Sequence, residues 1–288
     1  RGLPQHVVIM RSAPGDEANR TRLAAAGVPV TLVPLASATL APAGLLALVR
    51  LARRLRPRAV QGWLYYGDLA ATVAALAAPG ARLFRGIRCS ALEFERYRSG
   101  LRLALRLCAG LSRRPDAVIA NSEAGLAAHV AAGYRPRAAR VIANGIDSPR
   151  FRPDPEARSA VRASLGLPPD RVVAIHVARV PRVAALLVGA GTEALTLPRD
   201  ARALGRRDDV PRLLAAVDIV VSSSAFGEGF PNVVPEGMTA GLPAIATDVG
   251  DARAIVGDTG LVVPPRDVVA LAAALETLAA EPEADRRR

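Results

Sequence analysis

Short apolar runs alternate with amphipathic segments of helical length through the first half of the chain. The apolar runs have the length of buried parallel strands and lie at 6–10, 28–34, 59–63, 82–87, 117–120 and 141–147. Segments with helical periodicity separate them, at 19–26, 41–54, 69–78, 92–114 and 122–129. Tyr65, Tyr66 and Asp68 fall between a strand and a helix and are predicted to lie in a loop. This alternation is typical of a parallel α/β domain.

The same alternation resumes after residues 148–155, a proline-rich segment that is the best candidate for a linker. Further buried strands are predicted at 172–178, 185–188, 218–221, 244–247 and 261–263. A final helix is predicted at 268–280. We therefore expect two parallel-sheet α/β domains, an amino-terminal one at 1–150 and a carboxyl-terminal one at 151–288.

One connection in the second half is too short for the strands that it joins. About six residues separate the predicted strand at 172–178 from the one at 185–188, whereas a parallel pair needs a crossover of roughly a dozen residues or more. Either the two strands form a hairpin or a crossover helix is absent, and we favour the absence.

Charge is distributed unevenly along the 288 residues. The chain contains no lysine, and its 38 basic residues are all arginine. Residues 1–150 contain 22 arginines against 8 carboxylates, while residues 151–288 contain 16 arginines against 18 carboxylates. The excess suggests an anionic partner for the first half: nucleic acid, a membrane surface or a phosphorylated acceptor. Because the sequence shows no helix-turn-helix, zinc or RRM pattern, we do not expect a nucleic-acid partner.

Other compositional features indicate the compartment. Cys89 and Cys108 are too few for a disulfide framework and fit a reducing environment. No apolar run reaches the ~18 residues of a membrane span, and the first residues do not resemble a signal peptide. The three histidines show no metal-ligand spacing. We therefore predict a cytoplasmic protein that can attach peripherally to the inner face of the membrane.

The predicted helix at 92–114 is a candidate for that attachment. Arg98, Arg102 and Arg106 recur every four residues, and Leu101, Leu105 and Cys108 mark the opposite side. The basic side fits anionic lipid or a phosphate-bearing acceptor. Its alternative is an ordinary solvated helix face in an arginine-rich chain, and we favour that alternative.

Residues 222–250 combine a glycine-rich loop with two carboxylates. Gly227 and Gly229 flank Glu228, so the backbone can turn sharply there and approach a ligand closely. Asn232 is predicted to cap a following helix, whose first peptide N–H groups suit an anionic group such as a phosphate. Glu236 lies one turn into that helix. For two glutamates alone, a merely structural role is the better interpretation.

The complete string is more specific. Glu-Gly-Phe-Pro-Asn at 228–232, a glutamate eight positions after Glu228, and Gly-Leu-Pro-Ala-Ile-Ala-Thr-Asp-Val-Gly at 241–250 resemble the signature of retaining GT-B glycosyltransferases of family GT4. Other pieces resemble the same family, in the same order, at 60–65, 120–124, 142–147, 176–179, 187–191 and 209–218. The resemblance covers nearly the whole chain.

The resemblance implies a GT-B fold, in which two Rossmann-like domains face a cleft. A UDP- or GDP-linked sugar donor would lie chiefly against the second domain, and a glycan or lipid-linked acceptor against the first. Transfer would retain the anomeric configuration and need neither a metal nor a cofactor. The donor phosphate would help to deprotonate the acceptor.

The resemblance also implies roles for individual residues. Glu228 would bind donor-sugar hydroxyls and favour developing positive charge, and Glu236 would bind the ribose. Arg179 would neutralise the diphosphate, with Arg182 as a second positive charge. Backbone N–H groups for the sugar and diphosphate would come from Gly229, Phe230, Pro231 and Asn232. Weaker candidates on the acceptor side are Trp63, Tyr65 and Arg88.

Several departures from the family pattern bear on activity. The family places a lysine a few residues after the arginine that corresponds to Arg179, and this chain has none. Relative to the family, the chain looks shortened: the first strand with its Gly-Gly loop, the crossover helix after residue 182 and the carboxyl-terminal helix are not recognised. Arg88 follows the fourth strand, where many relatives carry a histidine that contacts the sugar.

We therefore predict a retaining glycosyltransferase of cell-envelope or polysaccharide biosynthesis. The main alternative is a catalytically inactive remnant of the family that still binds a nucleotide sugar or glycan. A GT-B sugar-nucleotide epimerase is the runner-up enzyme, since it shares the fold but lacks the Glu-Gly-Phe-Pro-Asn context.

Overall fold

The structure is a computed structural model that describes residues 4–11, 16–35, 42–90, 92–93, 95, 97–168, 170–175, 184–198 and 200–286. The chain divides into two compact units. The first unit comprises Arg1–Ile87, Glu93–Ala120 and His129–Val141, and the second comprises Arg88–Leu92, Asn121–Ala128 and Ile142–Arg288. The second unit thus includes two short segments from the first half of the chain. The domain boundary between residues 150 and 151 stays a prediction.

Among the described residues, the first unit contains six strands. They are β1 (Val7–Ile9), β2 (Val30–Leu32), β3 (Ala59–Gln61), β4 (Arg82–Ile87), β5 (Ala117–Ala120) and β6 (Ala139–Val141). β1 pairs with β2, and the other four form a sheet in the order β3-β4-β5-β6. All pairings are parallel. The amino-terminal ends of β3 to β6 therefore share one edge of their sheet, and the carboxyl-terminal ends share the other.

Helices follow the strands in the order that the hydrophobic pattern predicts. They are α1 (Asp16–Ala25), α2 (Pro42–Leu55), α3 (Leu64–Ala77), α4 (Ser99–Gly110) and α5 (Glu123–Ala131). Leu48 and Leu51 of α2 share a buried cluster with Ala70 and Ala74 of α3. Burial of these apolar side chains is the main force that holds the two helices together.

The second unit contains a six-stranded parallel sheet. Its strands are β7 (Val173–Ile175), β8 (Ala184–Leu187), β9 (Ala201–Ala203), β10 (Ile219–Ser222), β11 (Ala244–Thr247) and β12 (Gly260–Val263). They lie in the order β12-β11-β10-β7-β8-β9. Strand order therefore reverses between β7 and β10, the kind of switch point beyond which open α/β sheets bind their ligands.

Helices cover both faces of this sheet. They are α6 (Pro155–Ser164), α7 (Val210–Ala216), α8 (Val233–Thr239), α9 (Ala252–Val256), α10 (Val268–Ala280) and α11 (Glu283–Arg286). One buried cluster joins α6, α7 and α8 to the sheet, and another joins α10 to the opposite face. The prediction of an α/β chain with two parallel-sheet regions is confirmed. Within the described part of the chain, no helix is long and apolar enough to cross a bilayer.

The short connection in the second half joins a parallel pair. Val173 of β7 lies opposite Ala184 of β8 in parallel register, so the hairpin alternative is wrong. The connecting residues, 176–183, lie outside the described part of the chain. Eight residues can reach ~29 Å when extended, and a three-residue strand is only ~10 Å long. The connection is therefore long enough to return to the start of β8.

The loop predicted around Tyr65, Tyr66 and Asp68 is instead the first turn of a helix. α3 begins at Leu64, and Leu64 itself has a φ of +62°. This uncommon backbone conformation for a branched residue turns the chain directly from β3 into the helix. Other predicted bounds change: α4 covers Ser99–Gly110 rather than 92–114, and β6 is Ala139–Val141 rather than 141–147.

The amphipathic pattern of α4 is confirmed. Arg98, Arg102 and Arg106 are exposed, whereas Leu105 and Cys108 are buried. Leu103 and Leu107 are exposed as well, at 56% and 47%. The solvent face of α4 therefore carries both arginine and leucine side chains.

Each unit contains a buried aspartate. In the second unit, Asp218 accepts hydrogen bonds from Arg158 (2.6 Å), Arg162 (3.3 Å) and the backbone N–H of Val173 (2.8 Å). Because Asp218 joins α6 to the amino-terminal ends of β7 and β10, it fixes the position of the helix on the sheet.

In the first unit, the buried aspartate is Asp68 of α3. Its carboxylate accepts a long hydrogen bond from the N–H of Gly86 (3.3 Å). Arg85 is buried nearby, but it donates to Cys108 O (3.0 Å) and to Thr72 Oγ1 (2.7 Å). Burial raises the pKa of Asp68 to about 7, although the Gly86 hydrogen bond and the charge of Arg85 act in the opposite direction.

Candidate functional site

The loop between β10 and α8, residues 223–232, lies beyond the carboxyl end of β10, next to the switch point of the second sheet. We call it the glutamate loop. Thr247 Oγ1, at the end of β11, donates to Ser224 O (2.6 Å) and so ties the loop to the sheet. A Cβ on Gly237 would come within 2.5 Å of Val220 Cγ1, so α8 packs closely on β10 because this position has no side chain.

Glycine is required at two positions in the glutamate loop for different reasons. Gly227 has a φ of +80°, in the region that L side chains rarely adopt. A Cβ on Gly229 would lie 2.8 Å from Asn121 Oδ1 and 3.0 Å from Ser122 Oγ. The turn at Glu228 therefore needs glycine on both sides. Gly227 adopts a positive φ, and Gly229 lies too close to neighbouring side chains to carry a Cβ.

The two peptide carbonyls around Glu228 are held by neighbouring residues. Ser90 Oγ donates to Glu228 O, and the backbone N–H of Asp251 donates to Gly229 O (3.0 Å). Gly250, with a φ of +65°, leaves the room that this contact needs, since a Cβ there would lie 2.4 Å from Gly229 O. The orientation of these peptide groups is thus fixed without any ligand.

Asp251 also connects the glutamate loop to the start of α5. Its two carboxylate oxygens accept hydrogen bonds from the N–H groups of Glu123 (2.9 Å) and Ala124 (2.9 Å). These are two of the N–H groups that have no partner within the helix. Ser122 Oγ accepts from the N–H of Gly125 (3.0 Å), so Ser122 caps the start of α5.

The backbone after Glu228 offers hydrogen-bond donors. No described residue accepts a hydrogen bond from the N–H of Gly229, Phe230 or Asn232. The prediction that all four residues from Gly229 to Asn232 present N–H groups needs correction at Pro231, because proline has no N–H. Three donors therefore remain near Glu228, enough to bind oxygen atoms of a polar or anionic ligand.

Asn232 does not cap α8 through its side chain. It occupies the N-cap position, but no side-chain cap bond forms, and its Oδ1 instead accepts from Asn144 Nδ2 (2.8 Å). Arg88 Nη1 in turn donates to Asn144 Oδ1 (2.6 Å). The prediction of a capping side chain was wrong because a residue 88 positions earlier takes that acceptor. Burial lowers the pKa of Arg88.

The two glutamates have different electrostatic surroundings. Both side chains are half-buried. Burial raises the pKa of Glu228. Burial likewise raises the pKa of Glu236, and the charge of Arg150 partly opposes that rise. A carboxylate that has lost part of its hydration binds hydroxyl donors more strongly than one in water.

Four further site residues were predicted. Arg179 and Arg182 fall in 176–183, outside the described residues. Trp63 and Tyr65 belong to the first unit. Trp63 is 53% exposed, whereas Tyr65 is buried and its hydroxyl lies 3.0 Å from His129 Nε2.

The residues that support the glutamate loop were not predicted from the sequence. Ser90 and Asn144 lie 138 and 88 positions before the residues that they contact, Glu228 and Asn232. None of Ser90, Asn144, Arg150 and Asp251 was assigned a role. Two of them lay inside or beside recognised strings: Asn144 in Asn-Gly-Ile-Asp, and Asp251 directly after the final Val-Gly of the signature. For Asn144 and Asp251, a position inside or directly after a recognised motif was therefore the signal that could have identified them.

Comparison with known families assigns both halves of the chain. The family model described as Glycosyltransferase Family 4 matches residues 1–150. The model described as Glycosyl transferases group 1 matches residues 171–281.

Curated relatives match over part of their length. The D-inositol 3-phosphate glycosyltransferase of Rhodococcus erythropolis is 32% identical over 207 residues, covering 58% of this chain and 46% of that protein. The lipopolysaccharide core biosynthesis mannosyltransferase LpsB of Rhizobium meliloti is 29% identical over 200 residues, covering 56% of this chain and 54% of that protein. The chain thus spans about half the length of these curated relatives.

Solved structures share the fold over almost the whole chain. HepE of Anabaena, crystallised with UDP and glucose, superposes with a TM-score of 0.82 at 26% identity, covering 98% of this chain and 83% of that chain. Sucrose-phosphate synthase of Thermosynechococcus elongatus superposes with a TM-score of 0.77 at 19% identity, covering 98% and 91%. The two Rossmann-like parallel sheets are those of the GT-B fold. The Glycosyltransferase Family 4 model matches more than half of the residues of this chain, so the chain belongs to that family.

Proposed function

We propose that this protein transfers a sugar from a UDP- or GDP-linked donor to a glycan or lipid-linked acceptor with retention of configuration. The second unit would bind the donor, and the reaction would need no metal or cofactor. The proposed process is cell-envelope or polysaccharide biosynthesis.

The observation that carries this proposal is the preorganised glutamate loop. Glu228 sits half-buried on a turn whose flanking carbonyls are held by Ser90 and Asp251. Donors and a carboxylate that are already in place cost little reorganisation when a substrate binds. In the proposed reaction, Glu228 accepts hydrogen bonds from donor-sugar hydroxyls and stabilises the positive charge that develops on the sugar as its bond to the diphosphate breaks.

The backbone after Glu228 would receive the departing group. The N–H groups of Gly229, Phe230 and Asn232 can donate to sugar and diphosphate oxygens, and Arg179 and Arg182 are proposed to add positive charge. Glu236, one turn into α8, is proposed to bind the ribose hydroxyls. Arg150 would favour the ionised form of Glu236, since its charge partly opposes the rise in the pKa of this carboxyl that burial causes.

The similar proteins support the substrate class. HepE was crystallised with UDP and glucose and also with UDP-glucose. LpsB is a mannosyltransferase of lipopolysaccharide core biosynthesis. A phosphate-bearing or lipid-linked acceptor would agree with the basic character of residues 1–150.

The solvent face of α4 is the proposed point of contact with an anionic membrane. Its arginines, Arg98, Arg102 and Arg106, can pair with lipid phosphates, and Leu103 and Leu107 can enter the interface. Arg102→Gln with Arg106→Gln should weaken cosedimentation with vesicles that contain phosphatidylglycerol. If the wild type bound vesicles of phosphatidylcholine alone as strongly as vesicles that contain phosphatidylglycerol, the result would contradict an electrostatic contact.

A panel of UDP- and GDP-sugars tests the main proposal through release of the nucleotide. Glu228→Gln should lower kcat by ~100-fold or more while UDP binding changes little, because the side chain acts on the sugar. Glu236→Gln should weaken UDP or GDP binding by ~10-fold to ~100-fold, as expected for lost hydrogen bonds to a charged acceptor.

Glu276→Gln is the matched control. Glu276 is an exposed residue of α10, so the same chemical change there should leave turnover and nucleotide binding unchanged. Binding of UDP or GDP without turnover of any donor would favour the inactive remnant. Interconversion of a nucleotide sugar without transfer would favour the epimerase. Failure to bind either nucleotide would reject the proposed donor site.

A further inference from the structure

A row of arginines lies at one edge of the four-stranded sheet of the first unit. Each segment that leads into β3, β4, β5 or β6 contributes at least one. We call this set the arginine rim; it consists of Arg53, Arg54, Arg56, Arg58, Arg82, Arg113, Arg114, Arg135 and Arg137. All nine are exposed. Because the four strands are parallel, these segments lie at the amino-terminal edge, away from the carboxyl ends of the strands.

The rim is nearly free of compensating charge. Segments 53–58, 78–82, 111–116 and 132–138 contain a single carboxylate, Asp116. Within the described part of the chain, none of the nine arginines forms an ion pair. Arg135 donates to the carbonyls of Val130 (2.9 Å) and Tyr134 (2.8 Å), which keeps its charge near the edge.

Composition alone does not explain this row, because the second sheet of the same chain differs. The segments that lead into β7, β9, β10, β11 and β12 contain two arginines and four aspartates, at 165–172, 195–200, 217–218, 240–243 and 257–259. Arg171 there pairs with Asp200 at 3.1 Å. Arginine abundance affects both sheets, but an unpaired excess occurs at the edge of the first.

A groove opens within the rim. It has a volume of about 470 Å³ and is lined by Thr72, Leu76, Leu83, Arg113, Arg114 and Arg137, among others. Leu76 of α3 is 68% exposed at this groove, so apolar surface lies beside three guanidinium groups. Guanidinium groups bind phosphate oxygens through two parallel N–H donors, and weak hydration makes arginine suitable for such contacts.

The carboxylate in the groove is already engaged. Asp116 Oδ2 accepts a hydrogen bond from the N–H of Leu83 (2.8 Å) at the start of β4. This contact joins two strands and gives Asp116 a structural function. Three arginines against one carboxylate leave the groove with a positive charge excess.

We propose that this groove binds a phosphate-bearing ligand with a small apolar portion. The phosphate would contact Arg113, Arg114 and Arg137, and the apolar portion would lie on Leu76. The groove belongs to the first unit, whereas the glutamate loop belongs to the second. It is therefore an additional site, independent of the proposed donor site. A soluble phosphate ester and a lipid headgroup both offer this chemistry.

Calorimetry with inorganic pyrophosphate tests the soluble form of the ligand. The full chain is titrated in the presence of saturating UDP, so that pyrophosphate cannot occupy the proposed donor site. Arg113→Gln, Arg114→Gln and Arg137→Gln together should weaken binding by ~100-fold or more, since each charge-assisted contact contributes about tenfold. A parallel arm measures cosedimentation with vesicles of phosphatidylcholine with and without phosphatidylglycerol.

A second triple variant is the matched control. Arg53→Gln, Arg54→Gln and Arg56→Gln remove the same charge from the rim but lie outside the groove lining. This control should lose no more than ~3-fold in affinity, the size expected for long-range screened charge. Leu76→Glu provides an independent check, because it places a carboxylate at the exposed side of the groove and should weaken binding by ~10-fold.

Each outcome decides the proposal. Pyrophosphate binding that the groove variants lose and the control keeps supports a soluble ligand. Vesicle binding alone, with the same dependence on the variants, supports a lipid headgroup. Equal losses in both triple variants would overturn the proposal, since the charge of the whole rim would then be responsible. Absence of binding in both arms would also overturn it, without affecting the proposed donor site.

Discussion

The buried aspartates of the two units have the same exposure and opposite surroundings. Asp218 and Asp68 are each 2% exposed. Asp218 accepts hydrogen bonds from two arginines and a backbone N–H. Asp68 accepts one long bond from Gly86, while the neighbouring Arg85 donates to Cys108 and Thr72 instead. Equal burial therefore accompanies very different hydrogen bonding, and at Asp68 burial outweighs the one long hydrogen bond and raises the pKa of the carboxyl group.

The same contrast extends to the arginines. The second unit pairs its arginines with carboxylates, in the buried interior at Asp218 and at the surface in the pairs Arg171–Asp200, Arg207–Asp209 and Arg253–Asp248. The arginine rim of the first unit has no such partners among the described residues. The paired arginines of the second unit are engaged within the protein, whereas the rim arginines of the first unit are available for a ligand.

The largest expected effect comes from removing the paired aspartate. Asp218→Ala removes the carboxylate that Arg158 and Arg162 share and the acceptor of the Val173 N–H, and both Arg162 and Val173 are buried. Breaking a buried pair on one side typically costs ~3–5 kcal/mol of the free energy of unfolding. Urea denaturation, followed by circular dichroism, measures this loss.

Asp200→Ala is the surface control for that prediction. Its side chain is 63% exposed and its partner Arg171 35%, so its loss should cost about 1 kcal/mol or less. A similar cost for both substitutions would show that the buried network around Asp218 contributes no more than a surface pair.

An effect of comparable size, with a distinctive pH dependence, is expected at the unpaired aspartate. The pKa of Asp68 is about 7 in the folded chain and near 3.8 when unfolded. Between these values the folded state holds a proton that the unfolded state has lost. The resulting stability is complete below pH 4 and falls as the pH rises to about 7, by up to ~1.4 kcal/mol per pH unit.

Asp68→Asn should abolish this slope, because the amide stays neutral and its Oδ1 can still accept from Gly86. Urea denaturation at several pH values from 4 to 8 measures the slope in wild type and variant. Identical slopes would mean that Asp68 ionises normally in the folded chain.

The smallest expected effects lie at the protein surface and have opposite signs. Arg113→Gln with Arg114→Gln should raise the free energy of unfolding by a few tenths of a kcal/mol at low salt, because it relieves repulsion within the rim. Arg171→Gln should lower it by a similar amount, because it removes the partner of Asp200. High salt should reduce both changes, and a shared sign would contradict the contrast between the two sheets.

Elements with strong local signals were predicted from the sequence. The helix predicted at 268–280 matches α10 at both ends. At its start, Asp267 accepts from the N–H of Ala270 (2.9 Å) as an N-cap. The strand at 82–87 matches β4. In contrast, β9 was missed, because the sequence Ala-Arg-Ala at 201–203 is too short and too polar to suggest a strand.

Predictions failed where distant residues decide the outcome. Asn232 has the residue type of an N-cap, but Asn144 takes its side-chain oxygen. The turn at Leu64 follows no local signal, since a positive φ is rare for leucine. In the candidate site, the glycines and glutamates of the signature could be recognised, whereas the contacts of Ser90 and Asp251 exist only in the folded chain. The environment of Arg179 and Arg182 stays a prediction.

The double contact of Asp251 makes two amide hydrogens reporters of the glutamate loop. The N–H groups of Glu123 and Ala124 donate to the Asp251 carboxylate, and the N–H of Asp251 donates to Gly229 O. If a bound ligand restricts the motion of the glutamate loop, hydrogen exchange at the backbone N–H groups of Glu123 and Ala124 should therefore slow. Deuterium uptake at the start of α5 can thus register a ligand that never touches that helix.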